Sequence, residues 1–222
     1  GVATVSDNGV LGDATGATAA EGAELLETMV DDLCREAGVS KGAFFHHFAN
    51  KEAAALAAIA YWDETTGSFF EAARFWEKCD PRDRLLAYIE LRRRMAAGEL
   101  AEFTCLLGTL VQETYERHPA IRKACDRGIR AHAGTLVETI QEAKARYAPR
   151  ARWSAEGLAL HIQTVLQGAF VLSKASGNAE PIEEALAHLR RYVEQLLPAT
   201  PAGKRPAKEL SAKNRAAPKE LA

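Results

Sequence analysis

The chain has 222 residues, 47% hydrophobic and 26% charged, with a formal net charge of −2, the profile of a globular protein able to bury one large core or two small ones. No apolar run approaches the roughly 20 residues of a membrane span, and no basic start leads into an apolar stretch, so neither a spanning helix nor a secretory signal is expected. Cys34, Cys79, Cys105 and Cys125 lie far apart without a CxxC pair, which reads as reduced thiols and a cytoplasmic location.

Alanine, leucine, glutamate and arginine dominate, and the alternation of strands is almost absent, so an all-α fold is expected. Residues 1–20 contain Gly9, Gly12 and Gly16, each costing a helix about 1 kcal/mol, and are expected to be weakly ordered. Thr28-Met29-Val30-Asp31 fits a capping box at the start of a helix over Val30–Ala37. Gly38 suits the left-handed conformation that ends it. Ser40 then caps a short helix, Lys41–His47, and Asn50 caps a longer one from Lys51 towards Ala73. Asp80-Pro81 combines an N-cap with a proline at the first helical position and opens a helix that stops near Gly98. Leu100–Arg117 follows, with Phe103, Leu106, Leu107, Leu110 and Val111 on one broad face. His118-Pro119 opens a helix predicted to run to about Arg146. Ser154–Ala175 is apolar on most sides, and Pro181–Leu197 carries the stripe Ile182, Leu186, Leu189, Val193 and Leu196. Beyond Pro198 a Pro-, Ala- and Lys-rich tail is expected to be disordered.

Charge is unevenly spread. The last segment, from Ala199 on, holds six basic and two acidic residues, which leaves 22 basic against 28 acidic residues before it. A whole-molecule basic field is therefore absent, and binding to nucleic acid would need a local patch. Two short helices joined through Ala37-Gly38-Val39 supply a candidate, a helix-turn-helix whose second helix enters the major groove. Val30, Leu33, Cys34, Val39 and Phe48 are expected to lock the two helices together. The outward positions Ser40, Lys41, Gly42, Ala43, His46 and His47 are small or basic, so the backbone can approach base edges while Lys41 and Lys51 reach phosphates.

The run from Thr28 to Ala53 closely resembles the DNA-binding signature of the tetracycline-repressor (TetR) family. Val39-Ser40-Lys41-Gly42, the aromatic pair Phe44-Phe45, His47-Phe48 and Lys51-Glu52 carry that resemblance. It implies an N-terminal helix-turn-helix domain over 1–62, a ligand-binding and dimerisation bundle over 63–197 and a basic tail over 198–222. It also implies a regulator, expected to be a repressor, that binds a palindromic operator in double-stranded DNA as a homodimer and is released by a small apolar or amphipathic effector. Ser40, Lys41, Gly42 and Ala43 match the family's base- and backbone-contacting positions, His47 and Lys51 its phosphate contacts. Phe45 stands where a tyrosine often touches a phosphate and lacks that hydroxyl. The family's first helix is basic, whereas residues 1–27 hold five acidic residues and no basic one. This departure leaves a second reading, a helical ligand-binding protein whose DNA binding is lost.

Other constellations are weaker. His46 and His47 are adjacent on a helix and point about 100° apart, so they cannot chelate together. HExxH, GxSxG and glycine-rich phosphate loops are missing from the sequence, and no catalytic residue, metal or cofactor is expected. Trp62, Phe69, Phe103, Leu107 and Phe170 are candidates for an effector pocket. His161 and Gln167, polar groups on an apolar helix, either orient a ligand there or pair across a dimer interface. Cys105 and Cys125 are read first as buried thiols and second as a redox pair. The dimer interface is expected to use Leu158, Val165 and Leu172 with the stripe Ile182, Leu186, Leu189, Val193 and Leu196.

Overall fold

The computed structural model describes residues 34–199, and within them every regular element is helical. The chain divides into two compact units after Ala57, five residues before the expected boundary. The capping box at Thr28, the weak order of 1–20 and the basic tail all fall outside the described residues.

In the first unit, residues 34–36 are helical (α1), followed by α2 (Lys41–His47) and the start of α3 (Lys51–Glu71). Gly38 adopts φ +65°, a conformation costly for a residue with a Cβ. Around it the N–H of Val39 returns to the Cys34 carbonyl at 2.9 Å and that of Gly38 to the Arg35 carbonyl at 3.2 Å, closing α1 in the manner of a left-handed cap. Ser40 Oγ accepts from the Ala43 N–H at 3.1 Å, and Asn50 Oδ1 from the Ala53 N–H at 2.8 Å. The expected bounds of α2 are met to the residue because both of its ends are set by local chemistry.

The second unit contains the rest of α3, a 3-10 turn at Arg74–Glu77, α4 (Pro81–Met95), α5 (Leu100–Phe103), α6 (Leu106–Thr114), α7 (Pro119–Gly134), α8 (Val137–Tyr147), α9 (Ala155–Ser176) and α10 (Glu180–Leu196). Within it α9 packs on α7, α8 and α10, while α4 packs on α8 and α10. Leu85, Ile140, Ile162, Leu166, Leu186 and Val193 are completely enclosed at the centre. After α3 ends, Trp76 Nε1 donates to the Phe70 carbonyl at 2.7 Å, the stronger of two bonds to an acceptor that also takes the Ala73 N–H at 3.3 Å. Asp80 caps α4 through the Arg82 and Asp83 N–H groups, and its other oxygen receives the Tyr147 hydroxyl at 2.5 Å and Arg146 at 2.9 Å. The start of α4 is thereby fastened to the end of α8.

Two expected helices are each broken in two. The one over Leu100–Arg117 is interrupted at Thr104, whose backbone is extended, and restarts with Cys105 as the N-cap of α6. The one expected to reach Arg146 is interrupted after Gly134. There the Thr135 hydroxyl bonds the His132 carbonyl at 2.8 Å, competing with the helical ladder, and the bend that results places Leu136 in the core at 1% exposure. Neither break carries a proline to announce it.

The expected dimer stripe needs correction. Ile182, Leu186, Leu189 and Val193 are buried within the single chain, as is Leu158, so no partner can cover them. Val165 and Leu196 are half-buried against the same core. Of the eight expected interface residues only Leu172 is substantially exposed, at 60%. An amphipathic stripe shows that a face is covered, and here the cover is α4 and α9 of the same chain.

Candidate DNA-reading surface and ligand cleft

Helix α2 has no buried residue. Ser40, Gly42, Phe45, His46 and His47 are exposed, while Lys41, Ala43 and Lys51 are half-buried. Ser40 to His47 therefore lie on, or cap, one short, accessible helix, and Lys51 lies at the start of α3. Phe44 turns the other way, with its ring 5.4 Å from that of Phe48, and both are half-buried. Cys34 is buried as expected, whereas Val39 is 45% exposed and cannot serve as a lock. It sits in the turn, where the backbone reversal at Gly38 directs it outward. Val30 and Leu33 lie outside the described residues.

The second unit holds a cleft of about 200 Å³ bounded by α3, α4, α5, α7 and α9. Trp62, Phe69, Phe103, Leu107 and Gln167 line it, as expected. Phe170 instead lines an adjoining cleft between α6 and α9, which shares Cys105 and Gln167 with the first. His161 lies in neither. It is exposed on the outer side of α9, with its ring 5.2 Å from that of Tyr192. Residue type marks His161 as polar on an apolar helix but does not say which way it points.

Sequence reasoning missed the polar wall. Tyr88 Oη lies 3.0 Å from His132 Nε2 and accepts from Gln163 Nε2 at 3.5 Å. Burial, helped by the nearby Arg92 charge, lowers the His132 pKa to about 4, so the ring is neutral at pH 7 and one of its nitrogens shares a single proton with Tyr88 Oη or accepts from it. Burial likewise raises the Tyr88 pKa, against the opposing effects of Arg92 and Gln163. These three residues come from α4, α7 and α9, and Tyr88 and Gln163 are 75 positions apart, so no local spacing could have joined them. Gln167 divides the two clefts with its amide flat against Gly108, where a Cβ would come within 2.0 Å of Gln167 Oε1.

The cysteines are free, with Cys125 buried and Cys105 half-buried at the start of α6. Burial raises the Cys125 pKa, with the Cys105 and Asp63 charges adding to it, which keeps that thiol protonated. Among the described residues no group of three or more His, Cys, Asp or Glu side chains is placed to hold a metal, and no helix is long and apolar enough to cross a membrane.

A capped, exposed helix after a left-handed turn, joined in one chain to a helical bundle with an aromatic cleft, defines a helix-turn-helix regulator of transcription. Family models agree with that class. The model for "Bacterial regulatory proteins, tetR family" matches residues 25–58, and that for "Tetracyclin repressor-like, C-terminal domain" matches residues 81–189. The chain belongs to the TetR family of DNA-binding transcriptional regulators. It is 28% identical over 178 residues to the HTH-type transcriptional repressor NemR of Escherichia coli strain K12, covering 78% of this chain and 84% of that protein. Among solved structures it resembles a TetR regulator from Chloroflexus aurantiacus with a TM-score of 0.60 and 27% identity, over 76% of this chain and 84% of that one. The fold also matches the regulatory protein TetR from Rhodobacter sphaeroides with a TM-score of 0.64 and 24% identity, over 73% and 86% of the two chains.

Proposed function

We propose that the chain is a cytoplasmic, homodimeric repressor that reads a palindromic operator through α2 and leaves it when a small apolar or amphipathic effector enters the cleft. The observation that carries this reading is the pairing of an unburied helix with a separate aromatic cleft in the same chain. At α2, Ser40, Gly42 and Ala43 leave room for backbone and base edges, and Lys41, His46 and His47, with Lys51 at the start of α3, supply donors to phosphates. Phe45, 52% exposed, offers an apolar ring to a thymine methyl in place of a phosphate hydroxyl.

The dimer uses the outer side of α9 and α10. Leu160, Val171 and Leu172 on α9 and Tyr192 on α10 are exposed large apolar side chains, and the His161 ring meets that of Tyr192 edge-on beside them. A second copy of the same two helices covers them with a two-fold interface. Release follows from differential affinity: the effector favours the conformation in which the paired reading helices no longer fit successive major grooves.

Selection of bound duplexes from a random pool tests the reading. The expected product is an inverted repeat with half-sites about one helical turn apart. Ala43→Leu, which enlarges the middle of α2, is expected to lose that enrichment by more than tenfold while retaining helicity and dimerisation. A wild-type protein that enriches no sequence would reject the proposal.

A further inference from the structure

Resting on the effector-cleft reading, we infer that the cleft is built for an aromatic monoanion, with Arg92 as the group that pairs with its carboxylate. The cleft contains one cation and two acids, and what separates them is how each is already used. Glu102 turns its carboxylate back to the Glu99 N–H at 3.1 Å, closing the capping box of α5. Asp63 packs against α7, where a Cβ at Gly128 would lie 2.6 Å from its Oδ1. Burial raises the Asp63 pKa, and the cation that opposes this rise is Arg127. Glu102 is thus spent on its own helix, and burial works against a charge on Asp63. His132 carries no charge at neutral pH.

Arg92 is different. Its Cζ stands 5.2 Å from the centroid of Phe70 and 5.6 Å from that of Phe170, so two aromatic rings hold the guanidinium in place. Among the described residues no carboxylate lies within ion-pair distance of it and no side chain or backbone group hydrogen-bonds its N–H groups. A planar fork of five donors, held still and unspent on the wall of a cleft, matches a carboxylate and not an ammonium. The rest of the lining is suited to a ring. Trp62, Phe69 and Phe103 are aromatic, and Gln163 and Gln167 are neutral amides. A cavity of about 150 Å³ accepts benzene, so about 200 Å³ takes one ring and a short acidic chain.

Three compounds of nearly one shape test the inference on the full chain at pH 7: 3-phenylpropanoate, 3-phenylpropanamide and 3-phenylpropylammonium, titrated by calorimetry. The carboxylate is expected to bind about tenfold more tightly than the amide, and the ammonium most weakly. Arg92→Gln is expected to erase the preference for the carboxylate while changing the affinity for the amide less than threefold, and Arg92→Lys to restore part of it. Equal affinity for carboxylate and amide, or an equal loss of both in Arg92→Gln, would overturn the anion assignment and leave the cleft reading standing. Failure of all three to bind at millimolar concentration would overturn the cleft reading together with it.

Discussion

Helices α2 and α10 are built on opposite terms. α2 is seven residues long, buries no side chain, and owes its place to the Ser40 cap, the Gly38 turn and the Asn50 cap that follows. α10 is seventeen residues long and buries Ile182, Leu186, Leu189 and Val193, each such side chain contributing about 1.5–3 kcal/mol. A helix that must lie in a DNA groove cannot spend its surface on its own core, so local hydrogen bonds have to fix it. A helix that closes a bundle is held chiefly by burial, while Asn178 Oδ1, which accepts from the Glu180 N–H at 3.0 Å, and the proline in its first turn mark only where it begins. Substitutions on α2 should therefore alter recognition with little change in stability, and those on the inner face of α10 the reverse.

The sharpest break of that comparison is Leu189→Asp. Because Leu189 is buried, an aspartate leaves an unpaired charge in the core, and a loss of more than about 4 kcal/mol is expected. Leu172→Asp, on the outer side of α9, is expected to abolish the dimer and to lower the melting temperature only by the stabilisation that association supplies, leaving a folded monomer. Circular dichroism melts paired with sedimentation equilibrium at micromolar concentration distinguish the two. If Leu189→Asp melts as wild type, the core assignment is wrong.

A second test uses acid. Between the ordinary histidine pKa of 6.5 and the folded value of about 4, the unfolded chain binds a proton at His132 that the folded chain refuses. Stability at this site is complete above pH 6.5 and falls as pH drops towards 4, by up to about 3 kcal/mol. His132→Gln is expected to flatten the urea midpoint over that window and leave DNA binding at pH 7.5 unchanged. An unchanged pH slope in the variant would remove His132 as its source.

The smallest effect is expected at Lys51, at the start of α3. Lys51→Ala should weaken binding about equally for all DNA sequences and lower the slope of log affinity against log salt by about 1, with no change in melting temperature. A change confined to one operator sequence would make Lys51 a reader of bases instead.

How much was legible in the sequence follows the same division. The bounds of α2 and the start of α4 could be read because Ser40, Gly38 and Asp80-Pro81 act on their immediate neighbours. The break after Gly134 could not, since a threonine hydroxyl that bonds the backbone is common within helices, and the burial of Leu136 that goes with the bend depends on distant helices. The aromatic residues of the cleft are recognisable by size, while Tyr88, His132, Gln163 and Arg92 come together only when three helices meet. Ile182 and Leu189 were assigned to a partner because periodicity reports a covered face and is silent on what covers it.

Gly108 touches the cleft only through Gln167, yet it decides where that amide lies. Any larger residue at 108 would push the amide aside and join two compartments that now share it as a wall. An inherited change there would alter which compounds the bundle admits without replacing a residue of the main cleft. A lineage that acquires a side chain at 108 should accordingly show a shorter residue at 167, so the two positions are expected to drift as a pair.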